Sequence, residues 1–209
     1  MEMRLSSIPV QTTLEFEKLK QHLKDHRVAQ YIRLNGGIPI PIAGAIYWLV
    51  LAYIGTQTDL RNWVALALPL SGAIFPLALL FAALMRNNFM KDKSVIGDVL
   101  LPTFIGMLLF WPMLIIAIKS AAPETVIPIL AIGMSIHWPV IGWSYGRTSL
   151  FSAHAILRAL LVLFFWFTAP DHILIYIPIA VASVYIFTII AIYLDVNHLK
   201  SKLTLSHKE

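Results

Sequence analysis

Three ionisable side chains stand out within the apolar stretches of this 209-residue sequence: His137, His154 and Arg158. His154 and Arg158 are four residues apart, so an α-helix places them on one face. Arginine keeps its proton and presents five N–H donors in a planar fork, which suits an anion or a polar small molecule. Because ionisable groups inside a membrane are costly and commonly functional, these residues predict a polar site.

The predicted helices place two of these residues at matching depth. His137 lies nine residues before Gly146, where its helix should end, and Arg158 lies nine residues after Ser149, where the next should begin. At a rise of 1.5 Å per residue, both are about 13 Å from the same end of the helices. The candidate ligand-binding residues are these two with the polar and aromatic side chains around them: His137, Arg158, His154, Trp138, Trp143, Tyr145 and Asp98.

The same residues also have a purely structural interpretation. Arg158 could pair with Asp98, which lies closer to the helix ends, or with backbone carbonyls freed at Pro139. The histidines could then serve only to hydrogen-bond neighbouring helices. The sequence leaves both interpretations open.

The composition is that of a membrane protein. Hydrophobic residues make up 58% of the chain, charged residues only 13%, and the mean hydropathy is +0.76. Soluble domains carry about 25% charged residues. The apolar residues fall in six runs that do not alternate in character, which favours helices over a β-barrel. The predicted spans are 38–56, 63–85, 96–118, 125–145, 149–168 and 172–194.

The predicted fold is therefore an all-α bundle of six transmembrane helices, preceded by an amphipathic helix. In that first helix Phe16, Leu19 and Leu23 share one face, and the Asn35-Gly36-Gly37 segment should end it. Three regions follow: an N-terminal segment (1–37), the transmembrane domain (38–195) and a tail (196–209).

Basic residues predict the orientation. Thirteen of the 16 Lys and Arg residues fall on the side of the two termini, whereas the opposite loops carry only Arg61 and Lys119. The positive-inside rule then places both termini in the cytoplasm. The net charge of +5 is interpreted as contact with the lipid bilayer and its anionic headgroups, and no nucleic acid partner is expected.

Three successive predicted spans contain an aromatic residue followed by proline, at Phe75-Pro76, Trp111-Pro112 and Trp138-Pro139. Proline removes a backbone hydrogen bond and bends a helix. The bends could serve packing alone, or they could free carbonyls that line a cavity.

No enzyme signature accompanies the polar residues. The sequence has no cysteine, no HExxH, no P-loop and no EF-hand loop, so no catalytic residue, cofactor or metal site is predicted.

The preferred interpretation is a transporter, channel or ligand-binding membrane protein for a small anion or polar solute. The alternatives are a non-catalytic subunit or scaffold that docks a partner through the N-terminal helix, and an intramembrane enzyme that lacks an evident nucleophile. A homodimer is compatible with so small a bundle.

Three segments resemble a family of bacterial six-helix membrane proteins known only as a domain of unknown function. They are Gly36-Gly37-Ile38-Pro39, the segment 75–80 and the segment 137–145, and the resemblance covers residues 30–195. It implies a bacterial inner-membrane protein and supplies no activity. It also implies that the family has equivalents of His137, Pro139, Trp143 and Tyr145.

Overall fold

The computed structural model describes residues 13–87, 94, 100–120 and 122–206. This part of the chain is helical and contains no β-strand. Its α-helices, in chain order, are α1 (Thr13–Arg33), α2 (Pro39–Gln57), α3 (Leu60–Ser71), α4 (Ile74–Leu84), α5 (Leu100–Leu108), α6 (Trp111–Lys119), α7 (Val126–Gly133), α8 (Trp138–Ser144), α9 (Thr148–Thr168) and α10 (Ile173–Ser206). Asp98 and the start of the third predicted span lie outside the described residues.

The helices confirm an all-α protein with five or six helical spans. Five helical segments are long and apolar enough to cross a membrane: Asn35–Gln57, Pro102–Lys119, Pro123–Ser144, Thr148–Thr168 and Pro170–Leu205. The helices α3 and α4 together would make a sixth span, bent by 48° at a short break.

Helix α10 is the central element. It has 34 residues and packs against α2, α7 and α9. Its buried side chains recur every three or four residues, which defines a single inward face along the helix. That face includes Ile177, Val181, Tyr185, Thr188 and Ile192.

Helix α9 follows the same rule and turns its arginine inward. Its buried residues are Phe151, His154, Arg158 and Val162. Large apolar side chains cover the other face and are exposed, among them Leu160 and Phe164. An apolar outer face around a polar inner position is the arrangement expected of a helix surrounded by lipid.

Each of the three aromatic-proline pairs lies in the first turn of a helix that follows a break. Pro76, Pro112 and Pro139 fall in the first turns of α4, α6 and α8. Proline is tolerated there because its missing N–H has no intrahelical partner anyway. Three of the spans are therefore broken helices, where the sequence predicted bends.

The end of α1 is fixed by three residues with left-handed backbone conformations. Asn35, Gly36 and Gly37 have φ values of 45°, 63° and 69°, and α1 ends at Arg33 as predicted. Asn35 Oδ1 accepts a hydrogen bond of 2.7 Å from Lys200 Nζ in α10. We call the end of the bundle where α1 meets α10 the α1 end.

Candidate functional site

Arg158 lies in the interior of the bundle with no exposed surface. Its Nη1 donates a hydrogen bond of 3.0 Å to the hydroxyl of Tyr185 on α10. Its guanidinium carbon lies 5.1 Å from the ring centroid of Trp48 on α2 and 5.3 Å from that of Tyr185. A cation near aromatic faces is stabilised by the ring quadrupoles, so two rings offset part of the cost of burying this charge.

Several N–H groups at this site have no acceptor within the described ranges of the chain. Arg158 Nε, Arg158 Nη2 and Trp48 Nε1 are buried and have no hydrogen-bond partner among the described residues. No carboxylate in the described ranges forms an ion pair with Arg158. Leaving a buried donor unsatisfied costs about 1–3 kcal/mol, and more when the group is charged. The site is therefore rich in donors and suited to a molecule that brings acceptors.

The structural interpretation of Arg158 offered two partners, a backbone carbonyl freed at Pro139 and the carboxylate of Asp98. The described hydrogen bond runs to the Tyr185 hydroxyl and not to a carbonyl freed at Pro139. Pairing with Asp98 stays a prediction, because that residue is outside the described part of the chain.

His154 is held from two sides. Thr188 Oγ1 donates to the carbonyl of Val184 at 2.7 Å, so its single proton is used. The 2.8 Å contact between Thr188 Oγ1 and His154 Nδ1 must then have the histidine as donor. Trp138 stacks on the imidazole with ring centroids 3.8 Å apart and an interplanar angle of 11°. His154 Nε2 remains buried and has no described partner.

His137 lies at the break between α7 and α8, where it is the residue before α8. Its ring packs against Phe104 of α5 at 5.0 Å, and its Nδ1 is buried with no described partner. Since Trp138 faces His154, antiparallel counting puts Arg158 three residues, or about 4.5 Å, further along α9 than the level of His137. The offset from equal depth arises because α8 ends at Ser144 and α9 begins at Thr148, two residues and one residue earlier than predicted.

Two predicted site residues belong to a different cluster. Trp143 is 39% exposed, and the guanidinium of Arg27 lies 4.4 Å from its ring centroid. Tyr145 packs between Tyr31 and Phe151, with ring centroids 5.6 Å and 5.9 Å away. The structure thus groups Arg158, His154 and Trp138, and it places Trp143 at the α1 end.

An ion pair fastens the α1 end of the bundle. Arg147 Nε donates to Asp195 Oδ2 at 2.5 Å, which joins the start of α9 to α10. The Arg147 guanidinium lies 5.3 Å from the ring centroid of Tyr31 on α1. Burial, followed by the nearby charge of Asp195, raises the pKa of the Tyr31 phenol, which stays protonated. These contacts connect α1, α9 and α10 at the α1 end of the bundle.

Sequence reasoning missed four residues at the Arg158 site: Trp48, Tyr185, Thr188 and Tyr47. Tyr47 lies beside Trp48 in α2 and donates to the carbonyl of Ala67 at 2.9 Å. The sequence feature that could have indicated them is that each is an amphipathic or hydroxyl-bearing side chain within an apolar run. Without knowing which helices are neighbours, that signal does not select them from other tyrosines and threonines.

Close approach of α2 and α10 is needed to bring Tyr185 to Arg158. A Cβ atom added to Gly44 would lie 2.6 Å from the Tyr185 ring. Contacts that short are not sterically allowed, so glycine at this position makes room for the ring. Gly44 is therefore a positioning residue for the site.

A separate depression lies at the opposite end of the bundle. It has a volume of about 460 Å³ and is lined by Leu60, Glu124, Trp166, Pro170, Asp171, Ile173 and Leu174. It does not include any residue of the Arg158 site. Within the described residues, no group of three metal-ligating side chains is found.

Removing the Tyr185 hydroxyl should destabilise the bundle. Hydrogen bonds to charged groups contribute about 1.5–3 kcal/mol, so Tyr185→Phe should lower the free energy of unfolding by roughly that amount in an SDS unfolding titration. Tyr193→Phe is the matched control, since Tyr193 lies on the same helix and is 58% exposed. Equal stabilities of the two variants would show that the Arg158–Tyr185 bond contributes nothing to stability.

Comparison with known proteins places the chain in a family. No curated protein and no solved structure matches it. A family of unknown function, DUF7010, matches residues 23–195, which is most of the chain. The resemblance noted in the sequence is thereby confirmed: the chain belongs to the DUF7010 family of unknown function.

Proposed function

We propose that this protein binds a small anion or polar solute at mid-membrane, around Arg158, and that it serves as a transporter, channel or ligand-binding membrane protein. The observation that carries the proposal is a fully buried guanidinium whose Nε and Nη2 have no described hydrogen-bond partner. A charged arginine at the centre of a membrane helix costs about 2.5–3.5 kcal/mol on insertion scales. A solute with acceptor atoms would offset that cost by satisfying the free donors.

The site also collects polar atoms from several helices. His154 Nε2 and Trp48 Nε1 add two more buried atoms without described partners, from α9 and α2. Both His154 and Arg158 contact Tyr185, at 4.8 Å between rings and 3.0 Å between Nη1 and Oη. Sites built from convergent polar groups on facing helices are typical of ligand binding in helix bundles.

The breaks within the spans divide them into shorter helices, and transport requires such segments that can move relative to each other. Phe110, at the break between α5 and α6, lies against Gly133 at the end of α7, where an added Cβ would meet its ring at 2.6 Å. Two breaks thus adjoin each other near the level of the site. Discontinuous helices around a mid-membrane site are characteristic of secondary transporters, which supports transport over static binding.

The proposal includes a topology of six spans in a bacterial inner membrane. It counts α3 and α4 as one bent span and places both termini in the cytoplasm, on the strength of the basic residues. In support, the α1 end gathers four cations: Arg27, Arg33, Arg147 and Lys200. A homodimer remains compatible with this arrangement.

The topology can be tested by single-cysteine labelling, since the chain has no cysteine of its own. Gln57 and Ser201 are exposed at opposite ends of the bundle. In spheroplasts, a membrane-impermeant maleimide should label Gln57→Cys, and it should label Ser201→Cys only after permeabilisation. The reverse pattern would contradict the orientation, and labelling of both without permeabilisation would contradict the six-span count.

The binding site can be tested by thermal stabilisation of the purified protein in detergent. Because a ligand that binds the folded state raises its stability, sodium acetate, chloride or phosphate at constant ionic strength should raise the melting temperature. Arg158→Gln should abolish that rise, since it removes the charge and the fork. Circular dichroism at 222 nm supplies the measurement.

The matched control is Arg61→Gln, which removes an exposed arginine outside the site. It should respond to the anions as the wild type does. If Arg158→Gln unfolds, Arg158→Met replaces it, because it also removes the charge and the fork. Failure of all three anions to stabilise the wild type would overturn anion binding, and an unchanged response of the Arg158 variant would remove the site from Arg158.

A second candidate function, a subunit or scaffold role, is favoured by the first helix. Phe16 and Leu19 on α1 are 54% and 57% exposed, and Leu23 extends the same face. This face continues into the buried residues Gln30 and Leu34, which pack on the bundle. An uncovered apolar face beside basic residues suits either a membrane surface or a partner helix.

Replacement of Phe16, Leu19 and Leu23 with glutamine tests this second function. A stoichiometric partner that copurifies with the wild type from native membranes should be lost, whereas Leu14→Gln, on the other face of α1, should retain it. Retention of the partner by the triple variant would exclude docking through this face. Absence of any copurifying protein would exclude the scaffold role.

A further inference from the structure

The free donors of Arg158 lie on one particular edge of the guanidinium. Nη1 is engaged by the Tyr185 hydroxyl, and the unpartnered atoms are Nε and Nη2. In a planar guanidinium the Nε–H bond and one Nη2–H bond are parallel and point to the same side. That edge is the one that receives both oxygens of a carboxylate in a bidentate contact.

A spherical anion would use this edge less well. Two parallel donors match two acceptor atoms held a fixed distance apart, as in a carboxylate, and bidentate pairing adds geometric specificity to the charge attraction. A halide presents a single centre to both N–H groups. The geometry of the free edge thus favours an oxyanion over chloride.

The charge of the site limits the ligand further. Arginine supplies one permanent positive charge, and no other arginine or lysine among the described residues contacts the Arg158 site. A dianion such as hydrogenphosphate would leave an uncompensated charge in a low-dielectric interior, which is strongly unfavourable. A monovalent ligand balances the site.

The surrounding side chains add a third donor and restrict size. Trp48 Nε1 is a buried N–H without a described acceptor, and the Trp48 ring lies within 5.1 Å of the guanidinium carbon. The ring centroid of Tyr185 lies 5.3 Å from the same guanidinium carbon. Since no surface of the guanidinium is exposed and two rings already pack on it, a large ligand does not fit beside it.

Resting on the proposed function, we infer that the ligand of the Arg158 site is a small monocarboxylate, which the Nε–Nη2 edge of Arg158 holds through both carboxylate oxygens. The Tyr185 hydroxyl fixes the orientation of the guanidinium by occupying Nη1. The aromatic rings of Trp48 and Tyr185 pack on the guanidinium that holds it.

The test compares three anions on the full-length protein in detergent, by isothermal titration calorimetry at constant ionic strength and at about pH 8.5, where phosphate is a dianion. Acetate should bind the wild type at least about tenfold more tightly than chloride or phosphate, because one hydrogen bond to a charged group is worth about that factor or more. Arg158→Lys keeps the positive charge and removes the fork, so its affinity for acetate should fall about tenfold or more and its preference over chloride should disappear. Arg61→Lys is the matched control and should behave as the wild type does.

The outcomes separate this inference from the proposed function. If chloride or phosphate binds as tightly as acetate, or if Arg158→Lys keeps the acetate preference, the monocarboxylate assignment is overturned while anion binding stands. If no anion binds the wild type, both are overturned. Should Arg158→Lys fail to fold, the order of the three wild-type affinities decides the question alone.

Discussion

The structure depends on one constraint: a permanently charged guanidinium is buried where water cannot satisfy it. Arg158 has no exposed surface, and its described interactions are one hydrogen bond to Tyr185 and contacts with two aromatic rings. An interior with few acceptors makes every unpaired N–H costly. The arrangement of α2, α9 and α10 around this side chain follows from that cost, because each helix contributes a group that contacts the cation or its neighbours.

Helix α10 makes the arrangement possible. Its inward face presents Tyr185 to Arg158 and Thr188 to His154, three residues apart on the same stripe. Gly44 lets α2 approach closely enough for the Tyr185 ring to fit. Towards the α1 end, Asp195 on the same helix pairs with Arg147. One long helix thus connects the polar site to the contacts that close the end of the bundle.

Much of the fold could be predicted from the sequence, because an apolar run of about 20 residues has the length of a helix that spans a bilayer. The inward position of Arg158 and His154 followed equally from their spacing of four on one helix. The glycine-rich end of α1 was predictable because Asn35-Gly36-Gly37 suits left-handed conformations.

The partners of Arg158 could not be predicted. Tyr185 and Trp48 lie 27 residues after it and 110 residues before it in the chain, and only tertiary packing brings them together. The breaks after Leu108 and Gly133 were also missed, since proline signals a disruption without saying whether the helix bends or starts anew. The helix ends between α8 and α9 lie one or two residues earlier than predicted, and that shifted His137 relative to Arg158.

The most direct measurement of the central claim is the distance between a carboxylate and the Arg158 side chain. Solid-state NMR on protein labelled with ¹⁵N-arginine and soaked in ¹³C-carboxyl acetate reports that distance through the dipolar coupling of the two nuclei. The account predicts a ¹³C–¹⁵N separation of about 4 Å or less to Nε and Nη2, and loss of this coupling in Arg158→Lys. No coupling in the wild type, or a coupling that survives in the variant, would contradict it.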